Sequence, residues 1–252
     1  MTTLVVGASG ATGRLLVQQL LNLGEQVKII VRSLDGLPES LIQNSRLTIT
    51  QASLLDLTDE QLLTQVQGCR AVASCLGHNL TFKGMFGHPR RLVTDGVQRL
   101  CEAIEKTATQ TPVKFVLMNT TGNKNTQAGE TVSLAQTAVV GLIRHLIPPH
   151  ADNEIAAAFL QSQYGAQQKA IEWAAVRPDS LIDEDVVTEY QVHPSPTRSA
   201  IFDAGKSSRI NVAHFMSQLI VNDVTWEKWK NQMPVLYNAA FEAATEIKRE
   251  NG

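Results

Sequence analysis

Hydrophobic positions follow two rhythms through the first half of the chain. Short apolar runs at residues 3–6, 27–31, 47–50, 71–74 and 113–118 have strand length and read as buried strands. Between them the apolar period lengthens to that of a helix. Leu15, Leu16, Gln19, Leu20 and Leu23 share one face, with Gly24 as a stop. Residues 59–66 form a short helix with Thr58 as N-cap, and 92–106 a longer one through Leu92, Val93, Val97, Leu100 and Ile104. Residues 79–89, with Gly84, Gly87 and Pro89, read as a loop. Strands that alternate with helices imply a parallel sheet, because each crossover returns the chain to the same end of the sheet.

Beyond residue 120 the pattern is less regular. Residues 134–147 predict an apolar helix closed by Pro148-Pro149, and 153–161 another helix. The first of these could wall an apolar substrate pocket, form a subunit interface or simply pack in the core. Residues 171–176 predict a sixth strand, followed by Arg177-Pro178. Residues 180–208 read as mostly irregular, and 211–221 and 234–248 as helices, with Trp226 and Trp229 packing the C-terminal lobe. No repeat, low-complexity tract or linker divides the chain. The expectation is therefore one α/β domain over 1–252, a Rossmann-type doubly wound parallel sheet, with 123–165 and 179–210 supplying the substrate side and a small C-terminal lobe.

Composition narrows the function classes. Of 252 residues, 43% are hydrophobic and 18% charged, and the formal net charge is −2. The chain thus lacks the basic excess of a nucleic-acid binder. Three cysteines, Cys69, Cys75 and Cys101, are an odd number without C-x-x-C spacing, which argues against a disulfide framework or a metal site. A reducing, cytoplasmic compartment is expected. Strand-like sequence begins at Thr3 with no basic leader before it, and no apolar run reaches the roughly 18–20 residues of a membrane span.

Gly7-Ala8-Ser9-Gly10-Ala11-Thr12-Gly13 sits between the first strand and the first helix. In such a spacing the first glycine allows the tight turn. The second lets backbone approach a pyrophosphate, and the third lets the helix pack on the strand. The helix N-terminus then offers free N–H groups and positive potential to phosphates, with the Thr12 hydroxyl as a further donor. The second strand ends in Val31-Arg32-Ser33, without the carboxylate that commonly holds an NAD ribose. Arg32 can pair with a 2′-phosphate and Ser33 can add a hydrogen bond, which favours NADP(H). Arg14 either approaches the phosphates or is a surface charge.

The run Gly7 to Arg14 resembles the opening of atypical short-chain dehydrogenase/reductases, in particular the NmrA-like and biliverdin/flavin-reductase-like branches. Ser74-Cys75-Leu76-Gly77, the strand that ends Asn119-Thr120-Thr121-Gly122, and Glu172-Trp173 through Arg177-Pro178 extend the likeness over residues 3–220. The resemblance implies a parallel sheet of six or seven strands, an NADP(H) site and a C-terminal substrate lobe. It implies that Ala52, Ser53 and Leu54 lie near adenine, and that Cys75, Leu76 and Gly77 lie near the central ribose with Asn119 on the cofactor side. Thr120 then takes the place of the family's catalytic serine.

One departure matters for chemistry. No Tyr-x-x-x-Lys occurs, and Tyr164 and Lys169 stand five apart. Tyr164 is expected to be a surface tyrosine. His150, oriented by Asp152, is a candidate proton donor, unless Asp152 or Asn153 merely caps a helix after the Pro-Pro turn. Thr120 and Thr121 are candidates to bind a substrate carbonyl or to satisfy the strand end. His78, His88, Arg90 and Arg91 flank the loop after the fourth strand, a possible lid hinged at Gly84 and Gly87. Cys75 reads as a packing residue. Two functions follow. One is an NADPH-dependent reductase of a small apolar carbonyl, quinone or flavin-like acceptor, acting as monomer or homodimer. The other is a non-catalytic NADP(H) sensor working through a protein partner.

Overall fold

The computed structural model describes residues 1–78, 88–107, 111–125, 129–130, 148–165, 170–200 and 202–239, without the side chains of 148–150. Strand β1 (Thr2–Val6) leads into α1 (Ala11–Asn22), β2 (Gln26–Val31), α2 (Glu39–Ile42), β3 (Leu47–Gln51), α3 (Asp59–Val66) and β4 (Ala71–Ser74). Then come α4 (Leu92–Glu105), β5 (Val113–Met118), α5 (Pro148–Gln163) and β6 (Ile171–Pro178). The chain continues through β7 (Ser180–Ile182), β8 (Tyr190–His193), β9 (Lys206–Ser208), α6 (Arg209–Val221), α7 (Asp223–Trp229) and β10 (Val235–Asn238).

The main sheet runs β3-β2-β1-β4-β5-β6-β10-β8. Its strands are parallel except β8, which pairs antiparallel with β10. Strands β7 and β9 form a separate parallel pair. Helices cover both faces. Leu4, Val72, Phe115 and Trp173 pack beneath Leu62 of α3, Val97 and Leu100 of α4 and Leu160 of α5. On the other face, Val5, Ile29 and Val116 meet Leu16 and Leu20 of α1 and Val212 and Met216 of α6. Burial on both faces explains why the central strands read as continuous apolar runs rather than as alternation.

Strand order reverses between β1 and β4, which lie side by side with Val6 opposite Ser74. Ligands of open parallel sheets bind outside the carboxyl ends of the strands at such a point. The glycine bend after Val6 stands there.

Two expectations are corrected. The sheet has eight strands, not six or seven. Residues 235–238 form β10, not the start of a helix, because all four side chains are buried between β6 and β8; residues 240–252 lie outside the described residues. The segment 180–208 is mostly irregular as expected, with three short strands, one of which closes the edge of the main sheet. Pro148-Pro149 opens α5, since proline suits a first turn whose N–H groups have no partner. The helix expected over 134–147 lies outside the described residues, as does the proposed lid from 79 to 87 with Gly84 and Gly87.

Candidate dinucleotide site and its catalytic-side loops

Gly7 adopts φ +73°, and a Cβ there would overlap the Cys75 carbonyl at the end of β4. A Cβ on Gly13 would overlap the Gly7 carbonyl, so the helix can sit this close to the bend only as glycine. Gly10 N–H donates to Gly7 O at 3.1 Å and closes the turn. Gly10 is also the N-cap of α1; no side chain caps that end, and its first turn holds no acidic residue. Ser9, Gly10 and Ala11 are exposed while Thr12 and Gly13 are buried behind them. The 12-residue helix therefore directs an uncapped, positive N-terminus at the crevice. This cradle fits a diphosphate.

Toward the adenine end, Arg32 leaves β2 exposed and makes no ion pair among the described residues. The Ser33 Oγ accepts from Asp35 N–H at 3.0 Å. Arg14 donates to Gly36 O at 3.1 Å, so it straps α1 to the connection after β2. Ser53 and Leu54 follow the carboxyl end of β3. Leu54 is buried in the core, and Arg99 of α4 donates to the carbonyls of Leu54, Leu55 and Leu57.

At the end of β4, Cys75 N–H donates to Val6 O at 2.9 Å. Burial pushes the Cys75 thiol up to about 12, which keeps it protonated at neutral pH. The Leu76 side chain lies against Gly96 of α4, and Gly77 is exposed. The next residue is locked: His78 Nε2 pairs with Asp152 Oδ2 at 2.8 Å, with both side chains buried. The Asp152 carboxylate also accepts from Val93 N–H at 2.8 Å and Thr94 N–H at 2.9 Å, and the Thr94 hydroxyl donates to Asp152 O at 3.0 Å.

Asp152 therefore caps α4 from inside α5. That corrects the reading of it as the cap of its own helix, since Asp152 lies inside α5. The His150 side chain lies outside the described residues.

At the end of β5, Asn119 Oδ1 accepts from Thr120 N–H at 2.8 Å and from Asn123 Nδ2, while its own Nδ2 donates to Asn153 O at 3.0 Å. Thr120 Oγ1 accepts from Gly122 N–H at 3.3 Å. Thr121 N–H donates to Pro178 O at 3.1 Å, and the Asp179 carboxylate beyond it accepts from Gly205 N–H at 2.9 Å. Behind these loops Arg177 is fully buried. It donates to Met233 O, Asn123 O and Pro194 O and meets both Glu130 oxygens at 2.9 and 2.6 Å. Burial alone would raise the Glu130 carboxyl, but hydrogen bonds from Arg177 and Asn125 and the guanidinium charge hold it below the usual range.

Tyr164 corrects its expected place. It is 4% exposed, packs edge-on against Phe159, and contacts Cys101 in the core, where burial drives its hydroxyl pKa upward. It is not a crevice residue. The His78–Asp152 pair, the Arg177–Glu130 pair and Asp179 were all missed. Only Arg177 had a local signal, the Arg-Pro that ends β6. A groove of about 320 Å³ beside Tyr190, Phe215 and Trp229 lies at the far sheet edge, away from the glycine bend.

A parallel sheet, a strand-order reversal and an uncapped glycine bend at that reversal define a Rossmann-type dinucleotide-binding protein. The chain belongs to the NAD(P)H-binding family, which it matches over residues 7–223. Many solved structures share its fold, among them three whose names bear on function. A short-chain dehydrogenase/reductase from Veillonella parvula, in complex with NADP, superposes with TM-score 0.68 at 14% identity over 95% of both chains. A candidate NADH-flavin reductase from Streptococcus pneumoniae gives 0.67 at 19%, over 94% of this chain and 99% of that one. ChuY, an anaerobilin reductase from Escherichia coli O157:H7, gives 0.65 at 16%, over 95% and 98%. No curated protein matches the sequence. Among the described residues, no helix is long and apolar enough to cross a membrane.

Proposed function

We propose that the protein is an NADPH-dependent reductase of the atypical short-chain dehydrogenase/reductase type, acting in the cytoplasm on a small apolar carbonyl, quinone or flavin-like acceptor. The observation that carries this reading is the uncapped N-terminus of α1 framed by Gly7, Gly10 and Gly13 against the end of β4. Ser9, Ala11, Thr12 and Gly13 hold the diphosphate through backbone N–H groups and the Thr12 hydroxyl, while Gly10 lets it approach the backbone. Arg32 supplies a guanidinium where a 2′-phosphate stands, with Ser33, Ser53 and Leu54 around the adenosine. Cys75, Leu76, Gly77 and Asn119 border the second ribose. The bound cofactor contributes a hydride; the protein contributes orientation and exclusion of water. The presence of reductases among proteins of the same fold supports the class.

The test is NADPH oxidation by purified protein with a panel of quinones, flavins and apolar aldehydes. Turnover is expected with NADPH in preference to NADH. Tight NADPH binding with no turnover across the panel would reject the reductase. The burial of Tyr164 in the core favours a second reading, a sensor that binds NADP(H) and reports through a protein partner. A partner that copurifies and dissociates when NADP+ replaces NADPH would establish it.

A further inference from the structure

We propose that Arg99 of α4 is a positioning residue for the adenosine end of the cofactor. Its guanidinium holds the turn after β3 in the shape that walls that end, so it sets the affinity for both pyridine dinucleotides and leaves the choice between them to Arg32. The proposal rests on the cofactor site read above.

The argument begins at the carboxyl end of β3. Strands β2 and β3 are parallel and in register from Val27–Leu47 to Val31–Gln51. Ala52 N–H carries the pairing one step further, to Val31 O at 2.9 Å. Ser53 therefore leaves the sheet beside Arg32, on the same edge of the crevice. A dinucleotide with its diphosphate at the glycine bend of β1 and its 2′-phosphate at Arg32 carries its adenosine past the end of β2. The sheet order puts β3 next, so the wall it meets there is the segment that starts at Ser53.

That segment has little structure of its own. It is a single 3₁₀ turn, Leu54–Asp56, closed from within by Asp56 N–H to Ser53 O at 3.0 Å. Leu54 and Leu57 sink into the core and the backbone stays at the crevice edge. Arg99 reaches this backbone from α4. Its Nη1 donates to Leu54 O at 3.2 Å and to Leu55 O at 2.8 Å. Its Nη2 donates to Leu57 O at 2.5 Å and to Asp59 Oδ1 at 3.3 Å. A planar fork of fixed donors can serve three diverging carbonyls at once, which a lysine ammonium does not. Every acceptor of Arg99 lies between Leu54 and Asp59. The side chain therefore shapes one loop rather than joining layers of the core.

A second observation shows α4 fitted to the same task. Gly96 stands one turn before Arg99 on the same face, inside a helix that glycine weakens. A Cβ there would lie 3.1 Å from Leu54 Cδ2 and 2.7 Å from Leu76 Cδ1. The bare spot lets the leucine after β3 and the leucine after β4 rest on one point of the helix. Arg99 then fixes the backbone of the first.

Three measurements test the proposal. The first is amide hydrogen exchange of the wild-type protein with and without adenosine 2′,5′-bisphosphate, which carries the adenosine end alone. Protection is expected over residues 53–57. The second is calorimetry. Arg99→Ala is expected to bind NADPH, NADH and the bisphosphate each about tenfold more weakly, with the ratio of NADPH to NADH affinity unchanged. Arg99→Lys keeps the charge without the fork and is expected to stay within about threefold of Arg99→Ala. The third is steady-state kinetics with a quinone. The KM for NADPH is expected to rise about tenfold while kcat at saturation stays within about twofold. A role confined to stability would lower the unfolding midpoint and leave these constants unmoved in the folded protein. Should the alanine variant fail to fold, the lysine variant and the exchange measurement decide. Wild-type affinity in either variant, or a loss for NADPH without one for NADH, overturns the proposal. So does wild-type protein that binds NADPH yet gains no protection over 53–57. Wild-type protein that binds neither dinucleotide overturns the proposal and the cofactor site together.

Discussion

Single atoms decide what the glycine bend can accommodate. Gly13 admits no Cβ because the Gly7 carbonyl occupies its place, so Gly13→Ala must push α1 away from β1. The expected cost is about 1–3 kcal/mol, read as a lower midpoint in urea unfolding, with weaker NADPH binding alongside. Arg32 is the opposite case. It is exposed and supports nothing in the fold, so Arg32→Ala should leave the unfolding midpoint unchanged. Its effect should appear in cofactor choice, as about a tenfold loss of NADPH affinity with NADH affinity untouched. Both residues were legible in the sequence because their roles depend on position within one strand-turn-helix unit. Asp152 was not. Its partners, His78, Val93 and Thr94, lie 58 or more residues away, and nothing local marks the meeting. Loss of that cap in Asp152→Ala should lower stability by about 1–2 kcal/mol, measured by chemical denaturation.

Elements are held in place here by buried side chains that reach across them. Arg177 ends β6, yet it binds the carbonyls of Asn123, Pro194 and Met233 and the Glu130 carboxylate. It thereby fixes the connection after β5, the segment after β8 and the approach to β10 in one arrangement. Removing one member of a buried pair leaves the other charge uncompensated, so Glu130→Gln is expected to cost about 3–5 kcal/mol. The sign of its pH dependence follows from the lowered Glu130 carboxyl. The pair's contribution is fully present above the ordinary glutamate value of 4.5 and is lost as pH falls through the lower folded value. Wild type should therefore lose stability below pH 4.5 faster than Glu130→Gln, and thermal melts across that range check it. This element-scale order also explains what could not be read in advance. Strand β10 has four buried residues and no alternation, and it joins the sheet beside β6 only after β7, β8, β9, α6 and α7 intervene. A run of that length carries the same signal as the start of a buried helix.

Across the whole molecule, the legible half and the illegible half divide the labour. The first six strands of the order, β3-β2-β1-β4-β5-β6, come from sequence-local strand-helix units; periodicity marks those strands and the glycine bend after the first, and the sheet order sets the reversal beside it. The later strands fold back on the carboxyl ends of β5 and β6. They bring together Thr121, Asp179, Gly205 and the Arg177–Glu130 pair from segments more than 20 residues apart. The proposed cofactor site is thus written locally, whereas the side proposed for the acceptor is a tertiary product. The central claim is that the bend grips a diphosphate while Arg32 reads an extra phosphate. Isothermal titration calorimetry of the purified protein with NADPH and with NADH tests it most directly. The account predicts one site per chain for NADPH and about tenfold weaker binding of NADH, a difference abolished by Arg32→Ala. No heat with either dinucleotide, or equal affinity for both in the wild-type protein, would contradict it.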